Sequence, residues 1–233
     1  MQAIDHFRDG RLAEALAAAT ADVKAHPADL TARTFFCELL CFAGDWERAD
    51  RQLDALSNLE PKTAVHVAVW RQLIRAERAR QQFHAEGRVP EFLGQPTADF
   101  ELRLKASIAL RENDPAAAEL LREAEDLRPK VKGEADGQPF DDCRDLDDLT
   151  ASFFEVLTTT GKYFWVPFER VEEATFEPPS TPRDQLWRQV QMVVRGGPDG
   201  TVFLPVLYAG TCAAPREALC LGRETDWRKA PPS

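Results

Sequence analysis

Along the first 128 or so residues the apolar positions return every three to four residues, the period of a helix with one buried face. Within 62–87 the recurring set is Val65, Val69, Leu73 and Ile74. Within 97–111 it is Phe100, Leu104, Ile108 and Ala109, which predicts a second such helix with those four turned inward. Gly87, Pro90, Gly94 and Pro96 separate the two and spell a loop. The same reading carried from the start of the chain gives about seven helices. Past Pro129 the rhythm shortens. Residues 153–160 are aromatic and β-branched, Gly161 and Lys162 offer a turn, and 163–166 resume the strand character. A helical turn at 169–173 and a short strand near 175–177 follow. In 188–195 polar Gln189 and Gln191 alternate with Val190, Met192 and Val194, and the glycine-rich 196–200 leads into 201–207, a clear hairpin. The fold class is α+β: helices first, then a compact sheet or partly closed barrel with short helices.

The helical half repeats itself. GRLAEA at 10–15 and GDWERA at 44–49 each open a helical run, which stops at Pro27 and Pro61. Glycine, alanine and proline all recur at a spacing of 34 residues, and a weaker copy runs from Asn113 through Ala117 and Ala118 to Pro129. Glycine permits the tight reversal between two helices, alanine lets their axes approach, and proline cannot donate the next helical hydrogen bond. At this spacing the segment resembles the tetratricopeptide repeat. Its first-helix signature departs from that pattern at Phe36, Cys37 and Leu40. The face that would line a repeat groove offers Thr31, Thr34, Phe35, Glu38 and Phe42, without the Lys or Asn that would hold a carboxylate.

Charge narrows the field of partners. The chain of 233 residues carries a net −10, which disfavours nucleic acid and anionic membrane as ligands. No apolar run approaches membrane-spanning length and no signal peptide is visible at the start. Residues 134–148 hold seven acids against one base, Arg144, and read as a solvated connector with a helix cap. The expected division is a helical-repeat domain at 1–129, the acidic connector at 130–148 and a small β-rich domain at 149–233.

Chemistry is sparse. Cys37 and Cys41 lie one helical turn apart and read as buried small hydrophobes, with no second ligand pair to complete a metal site. Cys143, beside acids, is a poor nucleophile because neighbouring carboxylates suppress the thiolate. His6, His26, His66 and His84 sit singly, in surface or capping roles. Arg71, Arg75 and Arg78 share one helix face, with Glu77 and nearby acids as ordinary surface partners. Gly196 and Gly200 serve a hairpin turn rather than a phosphate. No catalytic, cofactor or metal site is expected.

The second half carries FFEVLTTTGKYFWVPFE at 153–169, FEPP at 176–179, RDQLW at 183–187, GTVFLPVLY at 200–208 and LGRETDW at 221–227. In this order, behind a helical half, they resemble the ImpE family, whose members are also called TagJ or SciE. Of these residues Trp165, Phe168, Trp187, Phe203, Tyr208 and Trp227 are expected mostly in the core. Pro167 and Pro205 would end strands, and Arg183 with Asp184, and Arg223 with Asp226, would be ion pairs locking loops. The resemblance implies a non-catalytic accessory protein of the bacterial type VI secretion system, working in the cytoplasm. Its implied partner is the N-terminal helical segment of the small contractile-sheath subunit (TssB/VipA type). The partner-binding residues and the oligomeric state stay open. A general peptide-binding scaffold, or an enzyme with an unrecognised site in the second half, are the alternatives. The chain ends soon after Trp227, where relatives are expected to continue.

Overall fold

The computed structural model describes residues 2–227; the closing Pro231, Pro232 and Ser233 lie outside them. Seven helices come first: α1 (Gln2–Arg8), α2 (Leu12–Ala25), α3 (Leu30–Phe42), α4 (Trp46–Leu59), α5 (Ala64–Glu86), α6 (Ala98–Glu112) and α7 (Ala116–Leu127). The corners between α1 and α2, α3 and α4, and α6 and α7 are built alike. Gly10, Gly44 and Asn113 adopt φ of 82°, 71° and 55°, the left-handed region that closes a helix end. One residue later an amide reaches back five positions, Arg11 to His6, Asp45 to Leu40 and Asp114 to Ala109. Ala15, Ala49 and Ala117 are no more than 1% exposed, as close helix approach requires. Pro27, Pro61 and Pro129 each fall two residues beyond the helix they end.

Two inward faces differ from the apolar reading. Val65 and Ile108 are exposed. Helix α5 starts at Ala64, so Val65 lies in its first turn, and Val67, Trp70, Leu73 and Ile74 carry the burial. On α6 the buried line runs Phe100, Arg103, Ala106 and Ser107; an apolar template skips it because it passes through an arginine. Arg103 is fully buried and donates to the Asp148 carbonyl.

The six-stranded sheet has the order β1-β5-β4-β8-β7-β6, from β1 (Glu91–Phe92), β4 (Phe153–Thr158), β5 (Tyr163–Pro167), β6 (Val171–Phe176), β7 (Trp187–Val194) and β8 (Gly200–Pro205). The first half is therefore not all helical: β1 lies in the expected loop and pairs in parallel with β5. The hairpins β4–β5 and β7–β8 stand where the sequence puts them. The turn at 169–173 is shorter, a 3-10 turn at Phe168–Arg170, and β6 starts at Val171. Only that turn joins β5 to β6, although three strands stand between them in the sheet, so the sheet curls tightly. Arg170 holds the curl by donating to the carbonyls of Leu93, beside β1, and Arg195, beyond β7. The two edges do not pair, and the sheet is open rather than a barrel.

One core joins the helices to the sheet's inner face. Trp165, wholly buried, stacks on Phe153 at 4.0 Å and meets Phe83, Phe92 and Phe100 edge-on. A second cluster of Val156, Val166, Val190, Met192, Val194 and Leu204 fills the sheet's other face. Phe168, Trp187 and Phe203 are buried as expected, whereas Tyr208 and Trp227 are exposed. The acidic segment also has local structure of its own. It carries a small hairpin, β2 (Gly133–Ala135) with β3 (Gln138–Phe140), turned at Asp136 and Gly137, and Asp142 binds Arg128 with both oxygens. A last short helix, α8 (Glu217–Cys220), follows β8.

Candidate functional site

Glu77, Arg80 and His84 lie three and four residues apart on α5, so they share the face that packs on the sheet. In β4 the inward residues alternate Phe153, Glu155, Leu157, which sets a carboxylate against that face. The Arg80 guanidinium donates to Glu155 Oε2 at 2.8 Å, to Glu77 Oε1 at 3.1 Å and to the Leu207 carbonyl at 3.0 Å. His84 Nε2 lies 3.1 Å from Glu155 Oε1, which also accepts from the Tyr163 hydroxyl at 2.6 Å. Trp165 Nε1 donates to Tyr163, and Trp187 Nε1 and Gln81 donate to Glu77. Both carboxylates and the arginine are under a tenth exposed.

Burial opposes every charge here, and the partners decide the outcome. For Glu155 burial pushes the carboxyl up, but Arg80 and His84 together hold it well below the usual carboxylate range. Burial likewise disfavours the Arg80 cation, and the Glu155 and Glu77 charges overcome it, keeping Arg80 protonated. Burial and Glu155 raise the Tyr163 hydroxyl far above its ordinary range, so Tyr163 stays a neutral donor. Every group in this network has a protein partner.

Beside it β4 and β8 part company. They pair only at Leu157–Phe203 and Thr158–Val202. The Thr158 amide donates to Lys162 on the β5 side, so alternation turns the backbone of Leu157 and Glu155 toward β8. Opposite Glu155 stands Pro205, which has no N–H to continue the ladder. The strands splay from there, and Arg80 spans the floor of the gap from the Glu155 carboxylate to the Leu207 carbonyl. The result is a cleft of about 400 Å³ walled by Phe153, Phe154, Leu204 and Val206, with Phe176 and Tyr208 at its rim.

Of the cysteines, histidines and α5 charges picked from sequence, all but two lie elsewhere. Glu77 is buried in the network with Arg80, not a surface partner of Arg71, Arg75 and Arg78, and His84 belongs to the network rather than to the surface. Arg71 pairs with Asp50 and Asp54, Arg78 reaches Glu47 at 3.7 Å, and Arg75 contacts Gln72. His26 and His66 are exposed and His6 contacts Glu14. Cys37 and Cys41 are fully buried; burial pushes the Cys37 thiol up to about 12. Burial raises the Cys143 thiol too, with Asp142 adding to it. Among the described residues no three His, Cys, Asp or Glu side chains form a metal-sized cluster.

The expected loop-locking ion pairs are not made. Asp184 accepts the Ser180 and Thr181 amides, while Arg183 stacks on Trp70 at 4.8 Å. Arg223 donates to the Phe7 and Arg8 carbonyls, and Asp226 pairs with Arg216. The presumed groove on α3 is filled from within. Phe35 and Phe42 pack on Phe7, and Glu38 is buried where the 3-10 turn Pro182–Gln185 crosses the helix. Burial pushes the Glu38 carboxyl up to about 7, against the opposing pull of the Arg183 amide and charge. Sequence reasoning missed Arg80 and Glu155; the signal was present in their inward helical and strand positions.

This arrangement combines a sealed ion network with an open apolar cleft, the equipment of a binding surface. Residues 137–233 match the family model described as ImpE protein. The chain is 32% identical over 228 residues to the type VI secretion system accessory component TagJ of Pseudomonas aeruginosa, covering 97% of this chain and 81% of that protein. The crystal structure of a Vibrio parahaemolyticus protein superposes with a TM-score of 0.91 at 29% identity, covering 99% of this chain and 86% of the other. The chain belongs to the ImpE family, the TagJ-like accessory components of type VI secretion.

Proposed function

We propose that the protein is a non-catalytic adaptor of the bacterial cytoplasm that binds the N-terminal helical segment of the small contractile-sheath subunit (TssB/VipA type). The observation that carries this reading is the likeness to the accessory component TagJ along nearly the whole chain. We take residues 1–129 as the helical-repeat domain, 130–148 as the acidic connector and 149–233 as the β-rich domain, acting as one body through their shared core. An amphipathic segment presents anchors at i, i+3 or i+4, and i+7 to an apolar depression. With a net charge of −10 the protein favours basic residues beside that stripe, so added salt slows the encounter. Ordering a flexible segment leaves an affinity of roughly micromolar Kd. Calorimetry with the subunit's first thirty or so residues (the length of about eight helical turns), against a scrambled peptide, tests this. Absence of binding by the native peptide and by the whole subunit rejects the adaptor reading.

A further inference from the structure

We propose that the gap between β4 and β8 is completed by an extended segment of that same sheath subunit, inserted edge-on between the parted strands. This rests on the sheath-adaptor reading for the identity of the partner and goes beyond it in naming the place and the form of the contact. The register turns the Glu155 C=O toward Pro205, which has no N–H to donate, and sets Leu207 opposite Phe153, whose amide bonds the Thr150 carbonyl instead. Polar backbone beside apolar walls calls for a ligand that supplies both main-chain hydrogen bonds and side chains, which an extended peptide does. Four large apolar residues gather at its rim or next to it: Phe176, Val206 and Tyr208 are each about half exposed, and Leu146 more so.

Charge at the two ends specifies the segment further. Arg188, paired with Leu204 across β7 and β8, meets no carboxylate among the described residues; its Nε donates only to the Asp184 carbonyl. At the other end Asp145 accepts from Tyr208 and Thr150 hydroxyls and has no cation partner among the described residues. Leu204 and Tyr208 are four residues apart, about 13 Å of extended chain at ~3.3 Å per residue. The inserted segment therefore carries a carboxylate toward Arg188, a basic residue toward Asp145, and apolar side chains at alternate positions between them.

Hydrogen exchange read by mass spectrometry, with and without the full-length sheath subunit, tests the proposal. Protection is expected in peptides covering 153–158 and 203–208. Val206→Glu, Phe176→Glu and Arg188→Glu, each checked for an unchanged melting temperature, should weaken binding at least tenfold, while the remote Val65→Glu should stay within twofold. Binding with protection confined to other surfaces, or with these variants undiminished, overturns the docking site and leaves the adaptor reading standing. The N-terminal helical peptide alone giving the same protection overturns the extended form of the contact. No binding of the subunit by the wild-type protein overturns both.

Discussion

Replacing Arg80 with Met removes the cation buried between Glu77 and Glu155 and keeps most of its aliphatic volume. Glu155 and Glu77 then stay under a tenth exposed without a counter-charge, and the Leu207 carbonyl loses its donor. Breaking a buried pair by deleting one partner costs about 3–5 kcal/mol. Tryptophan fluorescence in a urea titration reads the change, because Trp187 and Trp165 donate into the network. The loss should also depend on pH with a definite sign. In the wild type the folded Glu155 carboxyl lies below its ordinary 4.5, so its contribution is complete above that value and fades as pH falls beneath it. In the variant, burial without Arg80 lifts the same carboxyl above 4.5. Its folded form then binds protons more readily than its unfolded form, and the variant gains stability as pH drops from 7 toward 5. The difference between the two proteins must therefore narrow over that interval. Adding Glu77→Gln and Glu155→Gln to the variant should restore at least half of the loss at pH 7. A deficit under about 1 kcal/mol, or one constant between pH 7 and 5, refutes the claim that this ion network is buried and paired.

Ala49→Phe should overpack the α3–α4 crossing, where Ala49 has no exposed surface, and cost about 1–3 kcal/mol by thermal melting. For Glu38 the folded carboxyl is raised to about 7, so wild-type stability falls as pH rises from 4.5 through 7; Glu38→Gln should remove this slope and gain up to about 3 kcal/mol at pH 8. An unaltered slope in the variant, followed by chemical denaturation, would assign it to another group. A thiol reagent should leave Cys37 and Cys41 unmodified in the native protein and label them on unfolding, since both are fully buried. Rapid native labelling at either position would show that α3 opens.

What could be read from the chain was what is local to it. A glycine, an alanine and a proline at fixed offsets report one helical corner without reference to anything distant, and the three corners share one hydrogen-bond pattern. The β7–β8 hairpin was legible for the same reason, through alternation around a five-residue turn. The Arg80–Glu155 pair was not, because 75 residues separate its members and each looks like a surface charge when read alone. Position gave the better clue, since both fall on inward steps of their element's period. Pro205 was recognised as a strand end, but the gap it leaves depends on Glu155 in a strand 50 positions earlier. The α3 face showed the opposite failure: Thr31, Thr34, Phe35, Glu38 and Phe42 spelled an open groove, and Phe7 and the turn at Pro182–Gln185 close it.

Arg223 grips the last carbonyls of α1, and Glu217 accepts the Ala13 amide at the start of α2, joining positions more than 200 residues apart. During synthesis this helical corner leaves the ribosome more than 200 residues before the two groups that fasten it. At ~5–20 residues per second the interval is on the order of ten to forty seconds. Throughout that time α1 has its apolar side, Ala3 and Phe7, and only its local partners to hold it. The first corner is thus made some 200 residues before it is secured, and shortening the chain before Glu217 would release the α1–α2 corner.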